Sequence, residues 1–221
     1  MQTYQFRWDV IPNNLDFLMS GLQMTLIISA TTLVFAMIGG LLLALVDMSR
    51  YLAVRAIGLA IGEVIRNTPI LVQLLWVYYV LPIVFNVRIE ALVALIIGLA
   101  LYQAAFISEV YRSGIQGVPK GHREAAQVLG LSPLQSFRRI VLPQAVRMTL
   151  PPLASNFVQL IKFSSLGAVI SVSEITRRGM ELSATNFRPL ETFTFIAVVY
   201  FFICWPLAMA IRWWERRLQN R

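Results

Sequence analysis

Five long apolar stretches dominate the chain, at roughly 21–46, 57–85, 89–108, 144–172 and 193–214, with short polar segments between them. Each reaches the ~20 residues that cross a hydrocarbon core about 30 Å thick. The pattern predicts an all-α integral membrane protein with five transmembrane helices. Pro69 interrupts the second stretch and Pro151-Pro152 the fourth, which blurs their ends. The first stretch is too long for a signal-peptide core, has no basic segment before it and shows no cleavage site. It reads as a retained span. The expected organisation is an N-terminal segment 1–20, a single membrane domain over 21–214 with a polar region at 119–143, and a basic tail at 215–221.

Composition agrees. Of 221 residues, 57% are hydrophobic and 14% charged, against about 25% charged in ordinary soluble domains. A single cysteine, Cys204, in an apolar run rules out a disulfide framework or a cysteine metal site. A net charge of +8 reads here as positive-inside bias and attraction to membrane lipid headgroups, with no nucleic acid implied.

Charge also predicts orientation. Segments 47–56, 109–139 and the C-terminal tail hold Arg50, Arg55, Arg112, Lys120, Arg123, Arg138, Arg139, Arg212, Arg216, Arg217 and Arg221. The opposite set, 1–20, 86–90 and 173–192, holds Arg7, Arg88, Arg177, Arg178 and Arg188. The richer set belongs in the cytoplasm, so the N-terminus is expected outside and the C-terminus inside. The 173–192 stretch is expected as an outer loop, its arginines balanced by Glu174, Glu181 and Glu191. No internal repeat is visible, which argues against the usual secondary-transporter folds. Gly58 and Gly62 form a GxxxG, and Ala36, Gly39 and Gly40 also suit close helix contact.

The polar island 124–143, EAAQVLGLSPLQSFRRIVLP, has its own local logic. Residues 122–129 read as a helix ended by a left-handed cap at Gly130. Ser132 offers an N-cap, Pro133 the first helical position, and Gln135 completes a capping box. The result is two short helices with a stop between them. Ala125 and Ala126 would keep one side slim enough for a cleft in another protein, with Glu124 as a charge to pair. The plainer alternative is a solvated, well-capped loop.

The spacing of Glu124, Ala125, Ala126, Gly130, Ile140, Leu142 and Pro143 resembles the EAA signature of permease subunits of ATP-binding-cassette importers. RNTPILVQL (66–74), EVYRSGIQGVPKG (109–121) and VQLIKFSSLGAVISVSEI (158–175) are similar to the branch that imports polar amino acids. The chain departs from that pattern at Phe163, where many relatives carry an acidic residue. The resemblance implies a type I ABC importer permease fold in a bacterial inner membrane. It implies an ABC ATPase dimer docked on the EAA coupling helix, a second permease subunit of the same or a homologous chain, and an extracytoplasmic amino-acid-binding protein. No G-x-x-x-x-G-K-[ST] occurs, so this chain is expected to bind no cofactor. ATP and Mg belong to the partner ATPase. The rival class is an ATPase-independent secondary carrier or channel. A membrane-embedded hydrolase finds no nucleophile–base or metal-ligand spacing.

Charges inside spans mark candidate pathways. Arg66 lies about 13 Å into the second span at ~1.5 Å per residue, with Glu63 one turn before it and Thr68 and Gln73 beyond. Pro69 is expected to free the carbonyl of Ile65. Asn156, Gln159 and Lys162 recur every three residues on the fourth span, followed by Ser164 and Ser165, as a polar stripe expected to face the bundle interior. Arg66 or Lys162 is the candidate for a substrate carboxylate and Glu63 for an ammonium. The alternative is a structural Glu63–Arg66 pair. Glu109 reads as structural, His122 as a solvent-side residue. Trp213 and Trp214, with Arg212, Arg216 and Arg217, read as an interfacial anchor.

Overall fold

The computed structural model describes residues 4–219, and every element among them is helical. A short helix α1 (Val10–Asn13) leads into α2 (Leu15–Asp47), followed by α3 (Leu52–Arg66) and α4 (Ile70–Phe85). Then come α5 (Ala91–Gln116), α6 (Lys120–Val128), α7 (Pro133–Ile170), α8 (Ile175–Asn186) and α9 (Pro189–Gln219). By length and apolar composition, α2, α5, α7 and α9 suit a bilayer crossing, and α3 with α4 forms a broken fifth.

The break falls at Pro69, where the sequence interrupts the 57–85 stretch. The chain turns by 103° between α3 and α4. Pro69 disfavours helical geometry at Thr68 and brings no N–H of its own. The carbonyl of Ile65 is not left free, because the Thr68 N–H donates to it at 3.4 Å. The Thr68 hydroxyl donates to the Val64 carbonyl at 2.7 Å. Elsewhere prolines widen the helix without ending it. π-turns at Trp76–Val80 and Phe137–Val141 each stop two residues before a proline, Pro82 and Pro143. A proline cannot donate to the carbonyl one turn back, and the wider turn absorbs the mismatch. Pro151 and Pro152 lie inside α7, which runs unbroken through them.

The chain forms two compact units. One comprises residues up to Thr32, Ile70–Leu99 and Val158–Met209. Its core joins Val10, Ile11, Leu18 and Leu182, with Phe17 and Phe195 against them. Here the predicted outer loop 173–192 is largely a packed helix. A Cβ on Gly21 would sit 2.9 Å from the Ile175 Cα, so α8 lies directly against α2. Glu174 does not balance an arginine. It is fully buried as the N-cap of α8, accepting from the backbone N–H of Thr176 at 2.9 Å and Arg177 at 2.8 Å. The Tyr200 hydroxyl adds a third bond at 3.3 Å. Burial pushes the Glu174 carboxyl above its ordinary range, and the two backbone donors oppose that shift. Arg177 pairs with Glu181 at 2.9 Å, and Arg178 stacks over the Phe17 ring. We expect Glu174→Ala to destabilise the protein by roughly 1–3 kcal/mol, because two half-buried N–H groups at the start of α8 lose their acceptor. Glu174→Gln, which keeps one acceptor oxygen, should lose less. Thermal unfolding in detergent reads the order, and equal midpoints for Ala and wild type would refute it.

The N-terminal segment belongs to the same unit. Buried Glu191 accepts from the Tyr4 hydroxyl and the Arg7 backbone N–H, and Arg188 donates to the Gln5 carbonyl at 2.7 Å. Helix α2 starts at Leu15, not near residue 21, so Asp16 lies in its first turn, where a carboxylate favours the helix dipole. Trp8 is exposed. Residues 1–3 of the predicted N-terminal segment and 220–221 of the predicted tail lie outside the described residues, and 215–219 continue α9.

The other unit comprises Leu33–Pro69, Ala100–Phe157 and residues from Ala210 on. Ala36, Ile107 and Leu153 form one core cluster, flanked by Leu33, Met37, Val110 and Tyr111. Gly40 earns its place by close approach: a Cβ there would lie 2.6 Å from Ile107 Cγ2. The Gly58/Gly62 pair makes room for charged side chains of this same chain. A Cβ on Gly58 would strike Asp47, and one on Gly62 would come within 2.9 Å of the Arg66 guanidinium. At the C-terminal end Arg217 stacks over Trp213 at 3.9 Å.

Candidate functional site

Two sets of residues carry chemistry. The first is α6 with the start of α7, both in the second unit. The end of α6 is built as its sequence predicts. Gly130 has φ +73°, a conformation that glycine adopts without Cβ strain. The Leu131 N–H donates to the Ala126 carbonyl and the Gly130 N–H to the Gln127 carbonyl, both at 3.0 Å, which is a Schellman cap. Ser132 and Gln135 form the reciprocal capping box, at 2.9 and 3.3 Å. The box does not open a second short helix. It opens α7, which continues into the membrane stretch.

The two alanines divide their roles, against the expectation of one slim side. Ala126 is buried in its own chain, while Glu124 and Ala125 are exposed. Among the described residues no cation pairs with Glu124. The more telling exposure lies beside them and was not anticipated. Val128 is 89% and Leu129 78% exposed, with Leu134 also open. Two adjacent apolar residues just before the cap glycine were the available signal. Val141 is buried with Val118 and Ala145 against Ile115, which packs the end of α5 and the turn before α6 against the start of α7. Of the remaining motif residues, Ile140 is half-buried, and Leu142 and Pro143 are exposed at the end of the π-turn.

The second set lies on the candidate membrane spans. Arg66, 18% exposed, donates to Glu63 at 2.8 Å and to the Ala105 carbonyl at 2.9 Å. Asn67 adds bonds to the Glu63 carboxylate and carbonyl. Arg66 thus has its charge met within the chain and ties α3 to α5. Glu109 pairs with Arg112, which also donates to Gln116. Thr68 is half-buried, and Gln73, on α4, is half-buried as well.

The stripe on α7 splits. Asn156 and Ser164 are buried, but Gln159 and Lys162 are exposed on this chain, so the stripe does not face one interior as expected. Ser164 and Ser165 spend their hydroxyls on the carbonyls of Ile161 and Lys162. Lys162 has no carboxylate partner among the described residues. Gln103 was passed over: it is buried on α5 with neither amide atom bonded. A lone amide in an apolar run was its only trace in the sequence. No cluster of three metal-ligating side chains occurs among the described residues.

Spanning helices, a broken second span and a capped helix displayed with bare apolar tips agree with the resemblance to type I ABC importer permeases. Residues 36–221 match the family described as the binding-protein-dependent transport system inner membrane component. The chain is 38% identical over 216 residues to the glutamine transport system permease protein of Escherichia coli (strain K12), covering 97% of this chain and 99% of that one. It is 34% identical over 215 residues to the L-cystine transport system permease protein of Bacillus subtilis (strain 168), covering 96% and 92%. A crystal structure of an amino acid ABC transporter with histidines superposes with TM-score 0.91 at 31% identity, covering 97% of this chain and all of that one. A methionine ABC transporter in an inward-facing conformation gives 0.75 at 19% identity, covering 93% and 98%, a likeness of fold alone.

The chain therefore belongs to the family of inner-membrane components of binding-protein-dependent transport systems. It is a multi-pass inner-membrane permease subunit whose ATP hydrolysis is done by a separate ATPase, and it works with a second permease. The self-contained carrier and channel readings fall with that assignment.

Proposed function

We propose that this chain imports polar amino acids delivered by an extracytoplasmic binding protein. Its N-terminus lies outside and its C-terminus and α6 lie in the cytoplasm. The ATPase dimer receives α6, and this chain binds no cofactor itself, ATP and Mg remaining on the ATPase. The observation that carries the proposal is α6 itself: Val128 and Leu129 stand bare at the tip of a helix closed by a complete Schellman cap. Apolar tips on a rigid mount suit a cleft in a partner.

Orientation rests on the excess of lysine and arginine on the α6 side. The second permease suits α7. A lysine presented to lipid is costly, so Gln159 and Lys162 belong against protein or a wet pathway. Amino acids as cargo rest on the names of the glutamine and cystine relatives. They also rest on chemistry: Lys162, with no carboxylate partner among the described residues, is a cation fit for a carboxylate.

The test is gentle purification of the tagged chain from its host, with mass spectrometry of what accompanies it. An ATPase and an extracytoplasmic binding protein are expected, and amino acids then compete for that binding protein. Recovery of the chain alone, with no ATPase, would overturn the proposal.

A further inference from the structure

His122 and Arg123 precede Glu124 and lie outside the signature, yet both reach from α6 to other helices of the same unit. His122 Nδ1 lies 2.9 Å from Gln144 Oε1. Gln144 Nε2 donates to the Ile140 carbonyl at 2.9 Å, which turns the amide oxygen towards the ring. Nδ1 therefore carries the hydrogen and donates to Gln144, an arrangement that holds for neutral and protonated imidazole alike. Arg123 Nη2 donates to the carbonyl of Ile115, in the last turn of α5. That carbonyl has no partner within its own helix, and the helix end carries partial negative charge, so a guanidinium suits it.

The backbone around α6 is poorly suited to transmit a push. Gly117–Pro119 before it and Leu129–Ser132 after it are turns and coil. Ala126 is buried but offers one methyl, a contact without direction. The two side-chain contacts do have direction, and they reach different helices. Arg123 ties α6 to the end of α5. His122, through Gln144, ties it to the π-turned start of α7.

We infer that His122–Gln144 and Arg123–Ile115 form a two-point tether that carries motion of the docked α6 into α5 and α7. His122, Gln144 and Arg123 act as positioning residues: they touch neither nucleotide nor cargo. This rests on α6 being the helix that the ATPase receives.

The experiment uses the whole complex, with its ATPase, permease partner and binding protein, in proteoliposomes. Uptake and ATP hydrolysis are measured together. Absence of binding-protein-dependent, ATP-driven uptake in wild type would refute the transport function itself, independently of any variant. Given an active wild type, His122→Ala lowers solute moved per ATP about fivefold, the weight of one side-chain hydrogen bond. Hydrolysis and the amount of bound ATPase stay near wild type. Gln144→Ala does the same, and the double variant is no worse than either, as expected of two ends of one contact. His122→Gln keeps a donor within similar reach and restores most of the ratio. An unchanged ratio in both alanine variants, or additive losses in the double, overturns the tether. So does a loss of assembled complex in His122→Ala that His122→Gln fails to rescue, because that reports folding and not transmission.

Discussion

Leu129→Asp separates the ATPase from this permease while leaving the membrane helices folded. Leu129 is 78% exposed on its own chain, so an aspartate there meets water and costs the isolated fold little. If α6 docks as proposed, the same carboxylate is buried in an apolar contact with no partner. An uncompensated buried charge costs roughly 3–5 kcal/mol. Affinity for the ATPase therefore falls by a hundredfold or more at about 1.4 kcal/mol per decade. Copurification with the ATPase reads this directly, and thermal unfolding of the permease alone supplies the control. A wild-type yield of ATPase with Leu129→Asp would show that the tip of α6 is not the docked surface. Leu129→Met keeps the apolar character and should bind normally.

Lys162→Ala is expected to stop uptake without disturbing assembly. Lys162 makes no ion pair within the described residues and stands exposed on a membrane helix. Truncating one partner of a desolvated charge pair costs roughly 2–5 kcal/mol, so uptake at low substrate falls about thirtyfold or more. Lys162→Arg keeps the charge and should retain part of the activity. Arg66→Ala behaves differently. It removes the bond to the Ala105 carbonyl and the ion pair with Glu63, whose carboxylate keeps Asn67, so its loss appears first as less folded permease. Uptake within about twofold of wild type for Lys162→Ala, with normal expression, would remove Lys162 from the pathway.

Some features were legible in the chain because their physics is local. The cap at Gly130 needs only a residue tolerant of positive φ. The box at Ser132 and Gln135 closes within four residues. The spans follow from runs of apolar residues, whose free energy of transfer into lipid does not depend on which neighbour they meet. The EAA spacing is likewise a pattern carried by the sequence alone, and the family match agrees with it.

Other features depend on residues far apart in sequence meeting at a definite angle. Pro69 announces a break, but not a turn of 103° or the Thr68 N–H that takes the Ile65 carbonyl. Glu174 reads as one of three acids facing arginines, yet packing buries it as the cap of α8. The GxxxG of α3 suits another helix on paper, and its two glycines part company: Gly58 meets Asp47 at the end of α2, while Gly62 accommodates Arg66 of its own helix. His122 finds Gln144 across 22 positions. Periodicity and capping constrain the backbone over one or two turns and so declare helices, their ends and their apolar faces. Which buried polar group meets which donor is a property of three-dimensional packing, where a shift of one turn exchanges every partner.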